Sequence, residues 1–254
     1  KGSFHEKLFQ LREYLITQYQ LLISGTMTVN QSFFISRLIQ NPIFKKFSDF
    51  FISIDDNYMG NINNLIILMC GIWGIISLNS ITKTELKNVM NLYNSTKERG
   101  PDKSNLLHLS NNVFGFHRLA IHDLSPLGDQ PFIFRESNKM YVLICNGEIY
   151  NYKELITKYN LSDSLKSDSD CEVIYHLFKL FNDINQVAKE LRGEFAFVLT
   201  EINETNSITY ICRDQIGVRP LFYSVTSSNK LYFSSLLAGV IDPSSSSCQV
   251  FPPG

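Results

Sequence analysis

Apolar positions along this chain fall into two regimes that meet near residue 70. In the first, Phe4, Leu8, Leu11, Leu15, Tyr19 and Leu22 recur at helical spacing, which predicts an amphipathic helix near 4–23. A second helical pattern runs from about Phe33 to Ile39 and is ended by Pro42. Asp55 to Asn64 is polar and Asn-rich and reads as a loop. From Cys70 the spacing changes. Cys70–Leu78 reads as a buried strand, and Thr82-Lys83-Thr84-Glu85 as a capping box opening a helix through about Lys97. Val113–Ile121 and Met140–Cys145 read as strands, and Asn151 to Glu154 opens another helix. Ser169-Asp170-Cys171-Glu172 is a further capping box leading into Val173–Phe181. Strands follow near 194–200, 207–212, 220–224 and 231–235. Strands in groups, with helices between the groups, predict an α+β or layered α/β domain with mostly antiparallel pairing in its C-terminal half. Ser244–Ser247 reads as a flexible stretch before Pro252-Pro253, and no internal repeat is present.

Composition narrows the class of protein. The 254 residues suffice for one large domain, or one domain plus a smaller piece, and 44% apolar with 19% charged residues describes an ordinary soluble globular chain. A net charge of −1 argues against nucleic acid as a partner. Leu65 to Leu78 carries no charge, but it is interrupted by two glycines and falls short of the roughly 18–20 apolar residues that span a bilayer. No membrane partner is expected. Five cysteines, at 70, 145, 171, 212 and 248, form no C-x-x-C pair, and His117 and His122 match no metal-ligand spacing. Reduced thiols in a cytoplasmic protein without a bound metal are the expectation.

Met69-Cys70-Gly71-Ile72 changes the picture. A cysteine at an N-terminus carries a thiol and a free α-amine on one residue. An amine of pKa about 7.7–8.0 can take the proton of a thiol near 8.5. Here sixty-nine residues precede Cys70, which makes its nitrogen a peptide nitrogen. Three origins are open for residues 1–68: upstream sequence wrongly joined to a start at Met69, a cleaved propeptide, or a genuine helical extension. A first residue that is Lys and an ending in Phe251-Pro252-Pro253-Gly254 read as a fragment.

The residues that carry chemistry form an ordered set: Cys70-Gly-Ile; Arg99-Gly-Pro-Asp102; His117-Arg-Leu-Ala-Ile-His-Asp123; Gln130-Pro131; Asn146-Gly-Glu-Ile-Tyr-Asn151; Ser169-Asp-Cys-Glu172; Leu191-Arg-Gly-Glu-Phe-Ala-Phe197; Arg213-Asp-Gln-Ile-Gly-Val-Arg-Pro220. In order and spacing, from about Met69 to Val240, this set resembles the N-terminal glutaminase domain of glutamine-dependent asparagine synthetases. These are class II glutamine amidotransferases and N-terminal-nucleophile (Ntn) hydrolases. The resemblance implies a four-layer α/β/β/α sandwich, here with a helical N-terminal extension. It implies domains at 1–68 (extension), 69–242 (glutaminase) and 243–254 (start of a linker to a synthetase domain outside this chain).

The resemblance also implies roles. Cys70 would attack the side-chain amide of glutamine with its own amine as base, giving a γ-glutamyl thioester and ammonia. Asn146 and Gly147 would form the oxyanion hole; on spacing alone Asn-Gly reads as a two-residue hairpin turn, and the surrounding motif reverses that choice. Arg118 would hold the α-carboxylate of glutamine, against the alternative of an Arg paired with Asp123 or solvated. Asp170 would accept the α-ammonium, joined by Glu148; the alternative is a first-turn acid favoured by a helix dipole. Arg99-Gly-Pro-Asp102 would shape a loop beside the nucleophile. Arg213-Asp214 and Gly217 look structural, and Phe195 and Phe197 look like core. Asn105 stands where the family usually has Gly, and Phe233-Ser-Ser-Leu236 replaces a Ser-Glu pair followed by Lys. The implied partners are glutamine and a synthetase domain in a longer chain, and a homodimer is compatible with them. No cofactor is implied for this chain, since ATP and magnesium belong to the synthetase domain. A related amidotransferase with another ammonia acceptor, or an inert binding module with Cys70 internal, are the alternatives.

Overall fold

β1 (Gly71–Ser77) sits centrally in a six-stranded antiparallel sheet, between β3 (Asn112–Arg118) and β9 (Lys230–Ser234). The computed structural model describes residues 69–121, 123–242 and 245–254, all within one compact unit, Ile67–Gly254. The helices predicted near 4–23 and 33–39, the loop at 55–64 and the extension 1–68 as a whole lie outside the described residues, as does His122. The six-stranded sheet is completed by β2 (Lys103–His108), β8 (Phe222–Thr226) and β10 (Ser245–Val250), in the order β10-β8-β9-β1-β3-β2. A second antiparallel sheet has the order β4-β5-β6-β7, from β4 (Phe132–Arg135), β5 (Met140–Ile149), β6 (Gly193–Ile202) and β7 (Ser207–Arg213). The helices are α1 (Lys83–Asn94), α2 (Tyr152–Lys158), α3 (Val173–Phe181) and α4 (Ile184–Glu190).

Period-two alternation assigns each strand residue to a layer. Even-numbered Ile72, Phe114 and Phe116 pack against even-numbered Val142, Ile144, Ala196 and Val198, so these side chains fill the space between the sheets. Trp73, Ile75 and Val113 face the other way, onto Leu86, Val89, Met90 and Tyr93 of α1. Leu143, Cys145, Phe197 and Leu199 face Leu155 of α2, Leu177 and Phe178 of α3 and Val187 of α4. Three apolar interfaces thus separate four layers, and the expected α/β/β/α sandwich is the architecture. Phe197 is fully buried between β6 and the helices. Phe197→Ala is expected to cost about 3–5 kcal/mol in a denaturant melt.

Where local pattern and structure differ, a competing bond explains it. The Thr82 box forms: Thr82 Oγ1 accepts from Glu85 N (3.1 Å) and Glu85 Oε2 from Thr82 N (2.8 Å). The helix nevertheless stops at Asn94 rather than Lys97, because the Ser95 and Thr96 hydroxyls bond back to the carbonyls of Leu92 and Tyr93, each at 2.7 Å. Asn151 precedes α2 but spends its side chain on Glu190 O and Arg192 N. The Ser169 box does not close. Ser169 Oγ accepts from Cys171 N, while the Glu172 carboxylate takes Lys166 N (2.9 Å) and Ser167 N (2.8 Å), so residues Asp170–Glu172 form a 3-10 turn before α3.

The Asn146-Gly147 turn does not exist either. β5 continues through both residues to Ile149, with Asn146 opposite Ala196 and Gly147 opposite Phe195. Within the stretch expected as a linker at 243–254 with a flexible Ser244–Ser247, residues 243 and 244 lie outside the described residues, and Ser245–Val250 form β10, which pairs with β8 through a bulge between Ser245 and Cys248. A run of serines has no strand pattern of its own, and the neighbouring edge imposes one. β2, β4 and β10 stand at sheet edges. α4 spans seven residues and buries only Val187. Such elements leave little periodicity to read. No described helix is long and apolar enough to cross a membrane.

Candidate active site

The inner faces of the two sheets meet at one end of the sandwich, and five even-numbered residues reach it by strand parity: Cys70, Arg118, Asn146, Glu148 and Glu194. Cys70 lies just before β1, whose first residue, Gly71, pairs with His117. Its Sγ is 3.4 Å from both Leu119 O, to which it donates, and Leu119 N, from which it accepts. Its carbonyl accepts from Arg99 Nε at 3.1 Å. With the Asn146 amide oriented to satisfy both neighbours, its nitrogen donates to the same carbonyl at 2.9 Å and its oxygen accepts from Arg99 Nη2 at 3.3 Å. Arg99 therefore bonds the cysteine residue directly, while Asp102 Oδ2 takes Ala120 N at 2.7 Å and fixes the chain beyond Leu119.

Gly147 has no room for a side chain: a Cβ would lie 2.5 Å from Glu194 O and 2.7 Å from Phe195 Cα on β6. The close approach of β5 to β6 at this point depends on that glycine. Gln130 braces the strand one residue earlier, with Oε1 accepting from Cys145 N (2.6 Å) and Nε2 donating to Cys145 O (3.2 Å). Asn105, the residue in place of the family glycine, donates to Gln130 O at 2.9 Å.

Asp170 reaches the far end of β5, where Oδ2 accepts from Ile149 N at 2.6 Å. Its neighbour Cys171 points its thiol at Gly147 O, 3.7 Å away. Arg118 turns into the 123–129 segment. Nη1 donates to Asp129 Oδ1 (2.6 Å) and Ser125 O (2.9 Å), and Nη2 donates to Asp123 O. Its carboxylate partner is thus Asp129, while the Asp123 carboxylate accepts from Ser125 N and Asp168 N, at 3.0 and 2.9 Å. These contacts close a ring: Cys70 to Leu119 and Arg118, Asp123 to Asp168 and Asp170, Cys171 to Gly147, and Asn146 back to Cys70. Glu148 stands on β5 directly opposite Glu194. A cavity of about 420 Å³ beside the ring has Asp123, Ser125, Lys166 and Asp168 in its wall, and not Cys70, Asn146 or Asp170.

The electrostatics oppose a reactive thiol in the peptide-bonded state. Burial pushes the Cys70 thiol up to about 11. The Leu119 hydrogen bond, Arg219 and Arg99 pull it down, and Glu148 pushes it further up. Burial and the adjacent Arg219 lower Arg99 to about 10. His117, next to Arg118, is spent on structure. It is fully buried, stacked on Tyr93 at 4.2 Å and bonded to Ser104 Oγ and Tyr93 O, and burial lowers its pKa. No described group of His, Cys, Asp and Glu side chains is arranged to hold a metal ion.

Two charged residues here, Arg219 and Glu194, lie inside the motifs, which give them no role. Arg219 donates from Nη2 to Glu194 Oε1 at 2.9 Å and touches the Met69 sulfur with Nη1. The loop that aims it is heavily bonded. Asp214 accepts from the backbone of Phe195, Ile216, Val218 and Arg219. The Arg213 guanidinium holds the carbonyls of Gly217, Arg219 and Phe251, and Gly217 takes φ +71°, which favours glycine. Arg219 is visible within the Arg213–Pro220 motif, but only the tertiary fold brings it to Cys70.

The sequence pattern of the family described as a glutamine amidotransferase domain matches residues 69–250. The chain is 40% identical over 159 residues to a probable glutamine-hydrolyzing asparagine synthetase of Acanthamoeba polyphaga mimivirus, covering 61% of this chain and 27% of that protein. It is 34% identical over 172 residues to glutamine-hydrolyzing asparagine synthetase 1 of Bacillus subtilis (66% and 26%). It is also 34% identical over 190 residues to glutamine-hydrolyzing asparagine synthetase 2 of rice, Oryza sativa subsp. japonica (73% and 30%). The chain thus spans between 26% and 30% of the length of these relatives. Among solved structures, glutamine phosphoribosylpyrophosphate amidotransferase from B. subtilis superimposes with a TM-score of 0.55 at 20% identity, covering 67% of this chain and 42% of that one. At that identity the likeness shows the shared fold.

Proposed function

The chain belongs to the glutamine amidotransferase domain family, and on that premise we propose that it hydrolyses glutamine to glutamate and ammonia through Cys70. With Cys70 as first residue, its α-amine takes the thiol proton and the sulfur attacks the γ-carbonyl carbon. The tetrahedral intermediate expels ammonia, which leaves with the proton carried by the amine. A γ-glutamyl thioester remains. Water then adds to the thioester, and glutamate departs as the thiol is restored. The Asn146 side chain and the Gly147 N–H serve the developing oxyanion. Arg118 receives the α-carboxylate, for which the substrate must share or displace Asp129 at the guanidinium. Asp170, with Glu148, receives the α-ammonium.

One observation carries this assignment: the Asn146 amide lies within hydrogen-bond reach of the cysteine residue itself, on the inner face of β5, rather than in a turn. Asn146→Ala, in a chain beginning at Cys70, is expected to slow ammonia release by about 10²–10³ with KM largely kept, because the donor acts mainly on the transition state. A large rise in KM with unchanged kcat would assign Asn146 to ground-state binding instead.

We further propose that the ammonia serves ATP-dependent conversion of aspartate to asparagine by a synthetase domain of a longer polypeptide, where ATP and magnesium act. The similarity to asparagine synthetases supports this acceptor over others. A cytoplasmic setting fits a mechanism that needs a reduced thiol, and all five cysteines are free. Retention of residues 1–69 would turn the same fold into an inert module.

A further inference from the structure

Arg219, like Arg99, draws the Cys70 thiol pKa down, yet the residue roles above give it nothing to do. It is 5% exposed, and its side chain and that of Glu194 are equally buried in their ion pair. Three carbonyl bonds from Arg213 and three backbone bonds to Asp214 hold the 213–219 loop. The guanidinium is therefore fixed, and it is fixed against Met69, the residue whose carbonyl carbon is bonded to the Cys70 nitrogen. When Cys70 is the first residue, the space held by Met69 is vacated, and the guanidinium that touched its sulfur borders that space beside the new α-amine.

We propose that Arg219, held by Glu194, is a positioning residue that keeps the α-amine of N-terminal Cys70 in its neutral, proton-accepting form at the pH where the thiol must be activated. This rests on the glutamine hydrolysis proposed above. A fixed cation disfavours a second positive charge beside it, so it lowers the pKa of the amine. The same charge favours the thiolate. Other charges face this point from every packed element: Arg99 from the turn after α1, Glu148 from β5 and Glu194 from β6. Glu194 masks part of the Arg219 field, and Glu148 opposes it at the thiol. Arg219 and Glu194 therefore have opposite signatures. Loss of Arg219 removes a cation and unmasks an acid, which raises the amine pKa. Loss of the Glu194 charge unmasks the cation and lowers it.

The acid limb of kcat/KM against pH reports that pKa in the free enzyme. The full chain is folded first, with the residues ending at Met69 exchanged for the recognition sequence of a protease that cuts after it. Cleavage, verified by intact mass, leaves Cys70 first. Relative to the wild-type sequence treated identically, Arg219→Gln should move the acid limb up by about one pH unit or more. Arg219→Lys should restore most of the original position, and Glu194→Gln should move the limb down. A purely structural role would lower activity without moving the limb in opposite directions. An unmoved limb in folded Arg219→Gln overturns the inference, as does an upward or absent shift in Glu194→Gln. The latter decides the matter if Arg219→Gln fails to fold. If the cut wild-type chain releases no ammonia from glutamine at any pH, the glutamine proposal fails by itself. The pH dependence of Cys70 alkylation by iodoacetamide then makes the same comparison, with the midpoint expected higher in Arg219→Gln and lower in Glu194→Gln, and unmoved midpoints overturning the inference.

Discussion

In a chain beginning at residue 70, Cys70→Ala should reduce ammonia release from glutamine to the uncatalysed background while the protein melts within a few degrees of the parent. The expected loss is total because the chemistry proposed above forms its covalent bond at one sulfur, and alanine offers none. The fold should survive, since the thiol's hydrogen bonds are the two 3.4 Å contacts with Leu119 and removing one sulfur from the edge of the inter-sheet cluster leaves a small void. Other cysteines cannot substitute. Cys145, Cys171 and Cys212 belong to the apolar layer on the helix-facing side of the four-stranded sheet, and Cys248 packs in the layer with Trp73 and Tyr93 on the outer face of the six-stranded sheet. Cys171 is held protonated by its neighbour Cys145, by burial and by Asp170. Measured ammonia production together with a thermal melt checks both halves. Substantial turnover in a folded Cys70→Ala chain would place the nucleophile elsewhere.

The intact chain, with residues 1–69 attached, should be nearly inactive, and cutting before Cys70 should raise activity by several powers of ten. Two causes add. A thiol pushed up to about 11 leaves roughly one molecule in 10⁴ as thiolate at neutral pH. The Cys70 nitrogen, as an amide, cannot take the proton, and a general base of this kind contributes roughly 10²–10⁴. Met69 is itself buried against Arg219, so it fills volume beside the nucleophile that a substrate or water needs. An ammonia assay on cut and uncut samples, with intact mass confirming each, checks this. Equal rates from a verified uncut chain would mean that the α-amine is not the base. A leader passing over the pocket would compound the block; that path lies outside the described residues, whereas β1 itself is undisplaced and paired on both sides.

The sequence made the layers legible wherever a strand or helix buries a whole face. β1, β5, β6 and α3 each show their period, because their side chains meet apolar partners along their full length. Motif order named Cys70, Arg118, Asn146, Gly147 and Asp170, which lie far apart in sequence and fall along one chain of bonds and contacts in the fold, with Glu148 beside it on β5. What stayed hidden depends on contacts distant in sequence. Asn-Gly has strong turn chemistry of its own, and only the ladder with β6 overrides it. Glu172 looks like a capping partner, but its carboxylate is claimed by Lys166 and Ser167. Asp129 carries no motif signal as the partner of Arg118. The last serine run acquires a strand from its neighbour β8, and Phe251 beyond it supplies a carbonyl to Arg213.

Strand parity has a consequence for how this domain can vary. Asn146, Glu148 and Glu194 face the Cys70 end of the inter-sheet space because each lies an even number of steps from the residues that fill the inter-sheet core. A substitution at Val142 or Ile144 would be felt in proportion to its change in volume. A single inserted or deleted residue between Met140 and Cys145 is a different kind of event. It would swing Asn146 and Glu148 onto the helix side and carry Cys145 and Gly147 inward, unless a bulge absorbed it. Tolerance to change along β5 is therefore graded for composition and all-or-none for length. Natural indels in relatives of this domain should collect in the connections on either side of β5, and any found inside it should bring a bulge.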